Sequence, residues 1–398
     1  MKQKASQAVG GNIWKLNVLS ALHGAIFLIP IIIPFYRENG ITLTQAFFLE
    51  AVFSIEIALL ELPTGYIADR WGRKHTLVAA FAVATVGWLH YAVGTSFSFF
   101  LIGALLMGIS ASLLSGTLEA ITYDTLLERG DTARYRRISG GQNSFTFGTE
   151  ALCSILGGIL AVVSLRAAAW ASVASPAIGC LLALSLVEPK RHKLQGTQHV
   201  RTIIAICRKT LVQSAPLRGI ILIHGLVTTM TLSLFWLTQP YQTQVGLPLG
   251  LFGITHAIIV TTGAIAARST HAISRRIDDR LFLVMIATIV IVSTLGLGTR
   301  ISMGSLVFFL TARIAWGFLS PLTSDMTNRL TTSDVRATVL SIRALGTRFL
   351  FAISSPLVGY AADAWSLSSA LLLMGCIGGT FLAVAFFLLG PVWRDMPQ

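Results

Sequence analysis

The chain reads as long apolar blocks separated by short polar connections, with little of the two-residue alternation of half-buried strands. Each block approaches the ~20 residues that an α-helix needs to cross a bilayer. Twelve spans are predicted, at 13–35, 44–68, 75–93, 97–125, 143–164, 169–187, 217–238, 249–270, 281–298, 303–325, 337–359 and 367–390. Helices are expected because hydrocarbon offers no partner to backbone N–H and C=O groups, which a helix satisfies within each span. The first block continues through Gly24, Pro30 and Pro34 with no small-residue cleavage site after it, so it is expected to be a retained helix rather than a signal peptide.

The longest polar connection, 188–216, divides the spans six and six. The fold class expected is therefore an all-α polytopic membrane protein with twelve transmembrane helices in two six-helix bundles, 1–187 and 217–398, joined by a cytoplasmic linker. Within that linker Val200, Ile203, Ile204, Cys207 and Leu211 recur at helical intervals among Arg201, Arg208 and Lys209. This pattern suits an amphipathic helix at the membrane surface, with an irregular linker as the alternative.

Composition agrees: 54% of the 398 residues are hydrophobic and 12% are charged, against about 25% charged in soluble proteins. The net charge of +13 would suit a nucleic-acid binder, but its placement argues otherwise. Basic residues fill every second connection (Arg70 to Lys74, Arg129 to Arg137, Lys190 to Lys209, Arg275 to Arg280, Arg329 and Arg336), whereas the opposite connections carry mainly Arg37, Arg166 and Arg300. The positive-inside rule then puts both termini in the cytoplasm, and the basic residues meet anionic membrane lipids rather than nucleic acid. Cys153, Cys180, Cys207 and Cys376 are widely spaced, and no residue pattern suggests a metal or other cofactor.

One connection carries a motif. Gly65, Asp69, Arg70, Gly72, Arg73 and Lys74 form a charged turn between the second and third spans, where Gly65 would let helix backbones approach and Gly72 would permit a tight reversal. Here the sequence resembles the major facilitator superfamily, whose loop at this place reads Gly-x-x-x-Asp-Arg-x-Gly-Arg-Lys or Arg. The resemblance implies a gating motif that stabilises the outward-facing arrangement, with Asp69 facing the start of the eleventh helix near Val335, Arg336 and Ala337, and Arg73 paired with Asp124. The corresponding stretch of the second half, Ala267 to Arg276, is basic but lacks the glycine and aspartate pattern. In the fifth span Gly148 is followed by Gly157 and Gly158 without the Gly-Pro pair of drug antiporters.

Ionisable residues within spans are costly and so mark candidate sites. Glu56 lies mid-span, and Glu61, about 140° round the helix, suits packing or gating at its inner side. Glu119 and Tyr123, one turn apart, could share a polar face, either carrying a proton or hydrogen-bonding structurally. Glu150, with Asn143 toward the inner end of the same span, is another candidate; this concentration of acids makes the first half the expected site of proton coupling. His23 either titrates or is a hydrogen-bonded core histidine, and His224 and His256 read likewise. Arg313 in the tenth span would contact an anionic solute or pair structurally, while Arg343 and Arg348 lie in the eleventh and Asp325 near its neighbour's inner boundary. Trp236, Gln239 and Tyr241 would line a cavity or anchor the span at the membrane interface. Pro240, Pro321 and Pro356 would end or bend their helices.

The sequence thus predicts a secondary transporter of a small organic solute, anionic if Arg313 contacts it, with the proton as coupling ion. Efflux is the first expectation, and proton-coupled import or facilitated diffusion the alternative. A nontransporting receptor is less favoured, and no nucleotide-binding, zinc-protease or nucleophile–base motif suggests an enzyme. The expected setting is a bacterial-type cytoplasmic (inner) membrane, with the monomer as the functional unit.

Overall fold

The computed structural model describes residues 9, 11–190, 208–332 and 335–389. Among these the chain forms fourteen α-helices: α1 (Asn12–Gly24), α2 (Ile32–Glu38), α3 (Leu43–Trp71), α4 (Arg73–Val93), α5 (Phe97–Leu114), α6 (Thr117–Glu128), α7 (Tyr135–Val163), α8 (Leu165–Leu184), α9 (Ala215–Gln244), α10 (Phe252–Ser274), α11 (Asp279–Thr299), α12 (Val307–Arg329), α13 (Arg336–Ala364) and α14 (Leu367–Leu389). Eleven segments of the described chain are long and apolar enough to cross a membrane. The 29-residue α13 matches them in length but carries Arg336, Arg343, Arg348 and Asp363.

Two spans expected to be continuous are broken. The first parts into α1 and α2 around residues 25–28, and the fourth into α5 and α6 at Ser115–Gly116, where Gly116 takes φ +72°. Hydropathy cannot register either break, because the breaking residues are as apolar or small as their neighbours. The fifth span begins at Tyr135 rather than 143, since a helix can run on through polar residues beyond its apolar part. The charged turn shrinks similarly: α3 runs to Trp71 and α4 starts at Arg73, leaving Gly72 alone between them. Pro240, Pro321 and Pro356 each lie inside a continuing helix. The amphipathic helix expected at 197–212 falls largely outside the described residues.

The described chain divides into two compact units. The first takes in residues up to Ile41, those from Val52 to 190, and Pro248–Ile258; the second takes in Thr42–Ala51, 208–247 and Ile259 onward. In the first, Leu16, Leu19, Leu77, Phe81, Leu113 and Ile121 form one core from α1, α4, α5 and α6. In the second, Ile223, Val227, Leu283, Ile286, Val290, Leu319 and Leu382 join α9, α11, α12 and α14. Close van der Waals packing of such apolar faces helps hold helices that lack long-range backbone bonds to one another, since lipid is as apolar as they are.

Candidate functional site: the broken first rod and the charged helix ends

The break between α1 and α2 leaves backbone groups that hydrocarbon cannot satisfy, so neighbouring helices must supply the partners. Ser172 of α8 accepts from the N–H groups of both Phe27 and Leu28 at 3.1 Å and donates to the Ala168 carbonyl at 2.9 Å. Thr146 of α7 donates to Ser20 O at 2.9 Å, and Ser175 to Leu22 O at 2.7 Å. Glycines let the backbones come this close: a Cβ on Gly24 would overlap the Thr146 carbonyl oxygen, and one on Gly157 the Phe27 carbonyl oxygen.

His23 sits in the last turn of α1, directly before the break. Its side chain is exposed, and Glu150 of α7 lies within electrostatic range of it. Glu150 Oε1 also lies 3.6 Å from Nε2 of the buried His256, beyond hydrogen-bond length but within ion-pair range. His256 reaches this position because Gly253 packs on the Ser154 carbonyl and Gly158 on the backbone of Gly250 and Gly253. The glycines of α7 thus serve close packing without a proline. The cluster joins two residues singled out in the sequence, His23 and Glu150, with a histidine from far along the chain.

The remaining candidates are more dispersed. Glu56 packs its carboxylate over Gly108 of α5, and its Oε2 is buried with no partner among the described residues. Glu119 is exposed in the first turn of α6, where a carboxylate is favoured by the helix N-terminus. Tyr123 is exposed as well, its ring edge-on to Tyr135 at 5.3 Å. Glu61 is exposed. Asn143 is exposed, and the amide that turns inward is its neighbour Gln142, which donates to Thr122 Oγ1 at 3.0 Å. One residue is 100° around a helix, so Gln142 and Asn143 present their amides to different faces of α7.

In the second unit, Arg313 lies over the Trp316 ring at 4.1 Å and the Phe235 ring at 5.6 Å. Its charge is thereby placed against aromatic faces. Trp236 and Gln239 are buried on α9, and the buried Tyr241 donates to Arg300 O at 3.2 Å, stapling a connection. Among the described residues no group of three or more His, Cys, Asp or Glu side chains could hold a metal ion.

At the charged turn, Gly72 adopts φ +114° and ψ 147°, which side-chain-bearing residues rarely reach. Arg73 Nε donates to Asp124 Oδ2 of α6 at 3.0 Å, and Arg73 also reaches Asp69 at 3.4 Å. The Asp69 side chain is 69% exposed. Arg70 and Lys74 flank it, Arg70 donating to Tyr66 Oη at 3.4 Å. Gly65 brings no backbone close, because a Cβ there would meet nothing described within 4 Å; the expectation of close approach is corrected on this point. Glu188, absent from the sequence-based candidates, supplies what caps the turn: Oε1 accepts from the Arg73 N–H at 2.9 Å and Oε2 from the Lys74 N–H at 2.8 Å.

A family model described as Major Facilitator Superfamily matches residues 16–335. The chain belongs to the Major Facilitator Superfamily. Among curated proteins, Multidrug resistance protein 2 of Bacillus subtilis (strain 168) is 28% identical over 189 residues, 45% of this chain and 45% of that protein, so the match spans less than half of the relative. Among solved structures, the nucleoside transporter NupG superposes with a TM-score of 0.78 at 12% identity, covering 96% of this chain and 99% of that one. A bacterial homologue of the human lysosomal transporter Spinster gives 0.76 at 14% identity, covering 97% of each chain. A POT family transporter in complex with 5-aminolevulinic acid gives 0.71 at 12% identity, covering 98% and 96%. At these identities the solved structures establish the fold alone: two six-helix bundles of the major facilitator type. A member of this superfamily is a noncatalytic, polytopic membrane protein that moves a small solute by alternating access.

The two bundles of this superfamily member carry matching ion pairs of opposite sense. In the first, a cation at the start of α4 (Arg73) meets an acid near the end of α6 (Asp124). In the second, an acid at the start of α11 (Asp279) pairs with a cation at the end of α12 (Arg329), which also bonds Asp325 at 2.9 Å. The second half lacks the motif in its residues but retains a pair joining its third and fourth rods.

Proposed function

We propose that this transporter couples import of a small organic solute to the movement of protons, with Glu150 as the proton-carrying acid. The observation that carries the reading is the approach of Glu150 Oε1 on α7 to His256 Nε2 at 3.6 Å, with His23 in the last turn of α1, directly before the break of the first rod. Discontinuous helices in transporters expose backbone and side-chain polarity near the substrate, and an acid beside an imidazole can exchange a proton without an unpaired charge in hydrocarbon. Glu56 and Glu119 are the alternative proton carriers. Tyr123, Asn143, Trp236, Gln239 and Arg313 remain candidates for solute contact.

Import is favoured over efflux by the solved neighbours, which are named for nucleosides or crystallised with 5-aminolevulinic acid, solutes of metabolite type. Efflux is the second reading, supported by the partial match to Multidrug resistance protein 2. In either, the chain works as two bundles, 1–187 and 217–398, joined by the 188–216 linker, with both termini in the cytoplasm. The segment Gly65–Lys74 acts as a conformational latch through Asp69, Arg70, Gly72, Arg73, Lys74 and Asp124, and the monomer is the working unit. Solute binding and protonation would bias the balance between conformations, with no covalent chemistry.

The test is uptake into vesicles holding the purified protein, with a panel of labelled nucleosides, amino acids, organic acids and antimicrobials and a proton gradient imposed in either direction. Accumulation driven by an inward gradient supports import; accumulation against an oppositely directed gradient assigns antiport. No movement of any solute under either gradient would overturn the proposal.

A further inference from the structure

A buried polar cluster in the second unit is not used by the coupling site. Arg343 of α13 is only 8% exposed, yet no carboxylate among the described residues pairs with it. Its guanidinium instead donates to two hydroxyls of α12, Thr323 Oγ1 at 3.0 Å and Ser324 Oγ at 2.8 Å. His224 of α9 stands on the same oxygen, with Nδ1 2.9 Å from Thr323 Oγ1. The Thr323 hydroxyl has its own proton directed at the Leu319 carbonyl, 2.8 Å away. With the hydroxyl proton on that carbonyl, Thr323 Oγ1 accepts from Arg343 and from the Nδ1–H tautomer of His224, whose Nε2 points away from Thr323.

This arrangement is one-sided. Arg343 has five N–H donors, of which two have described partners. Two neutral hydroxyls leave its permanent charge uncompensated, and a buried cation without a counter-charge is among the costlier features of a span. One helical turn from His224 along α9, the Thr228 hydroxyl is buried with no partner among the described residues. Three helices thus converge on a place with donor capacity in excess and no acid. Arg313, by contrast, already lies over two aromatic rings and stands ten residues from Thr323, about 15 Å along α12.

We propose that Arg343, with Thr323, Ser324, His224 and Thr228 around it, forms a binding site for the oxyanion of a small organic solute, a carboxylate or a phosphate group. The inference rests on the transport reading and narrows its cargo to anions. A planar guanidinium offers paired donors to such a group, and the charge of the bound anion replaces the missing acid.

The test uses the full chain in vesicles and in detergent. Equilibrium binding of benzoate, its neutral isostere benzamide, and inorganic phosphate is measured alongside uptake of labelled organic acids, phosphate esters and their uncharged amides or alcohols. Wild type is expected to favour anions over the matched neutral compounds by about tenfold or more. Arg343→Gln should erase that preference, and Arg343→Lys should retain part of it. Carboxylate preference and phosphate preference each support the site and name its source of charge. Ser324→Ala, which keeps the cation and removes one hydroxyl, should weaken anion binding without loss of monodisperse protein, guarding against misfolding of the charge variant. Transport that proceeds with no anion preference, or an Arg343→Gln protein with its preference intact, would overturn the inference and leave the transport reading standing. Absence of all transport from a folded protein would defeat both.

Discussion

The carboxylate of Glu188 closes on the backbone N–H of Arg73 at 2.9 Å while the Arg73 side chain reaches Asp124 at 3.0 Å. One residue is therefore held through its main chain by the start of the interdomain connection and through its side chain by α6. The charged turn is a junction of three chain segments, and its stability depends on an acid lying more than a hundred residues away, at a sequence separation of 115.

Removing that acid should loosen the junction. Glu188→Ala leaves two N–H groups of the first turn of α4 without acceptors, at a cost of about 1–2 kcal/mol, comparable to losing a helix cap. Glu188→Gln keeps one acceptor oxygen and should lose less. Thermal unfolding in detergent should rank wild type above Glu188→Gln and that above Glu188→Ala; equal midpoints would show that the contact does not matter to stability.

Gly72 should tolerate no side chain. At φ +114° an alanine is strained by about 1–3 kcal/mol. Gly65→Ala, at an exposed helical position with room for a methyl, should be close to neutral or slightly stabilising. The pair separates backbone conformation from the mere presence of glycine in the motif, and a Gly72→Ala protein as stable as Gly65→Ala would refute the assignment.

The broken first rod makes a third prediction. Ser172→Ala orphans the N–H groups of Phe27 and Leu28, costing about 1–3 kcal/mol for a buried unsatisfied group. Gly157→Ala presses a methyl on the Phe27 carbonyl and should also destabilise. Because both act on one backbone segment, the double variant should lose less than the sum of the two single losses. Strict additivity in thermal unfolding would mean that the two sites do not share the break.

Glu150→Gln keeps the shape of the side chain and removes its ability to carry a proton. Exchange of solute across the vesicle membrane should continue, while gradient-driven accumulation falls by about tenfold or more. The same variant series at Glu56 and Glu119 should leave accumulation closer to wild type. Undiminished accumulation by Glu150→Gln would move the proton role to another acid.

The apolar blocks made the rods legible because a bilayer-spanning helix must be long and apolar, and that requirement is local in sequence. The breaks at 25–28 and at Gly116 are not legible: the first depends on the distant Ser172 hydroxyl, and at the second a glycine fits a helix interior as well as the positive φ it takes. Site residues divide in the same way. Glu150 stood out as an acid within a span, but His256 as its neighbour depends on the close crossing at Gly158 and Gly253. Glu188 was passed over because its neighbours Pro189, Lys190 and Arg191 mark a connection, where an acid is unremarkable until its partners are known. The Asp279–Arg329 pair is not legible because the motif is a fixed order of residues, whereas the pairing keeps its place in the bundle with the charges exchanged.

The most direct measurement is accumulation of labelled solute in vesicles with an imposed inward proton gradient, comparing wild type with Glu150→Gln and with vesicles lacking protein. The account predicts that wild type concentrates at least one solute above its external level, that an uncoupler collapses the accumulation, and that Glu150→Gln equilibrates the solute without concentrating it. Accumulation that ignores the gradient, or a Glu150→Gln protein that concentrates solute as wild type does, would contradict it.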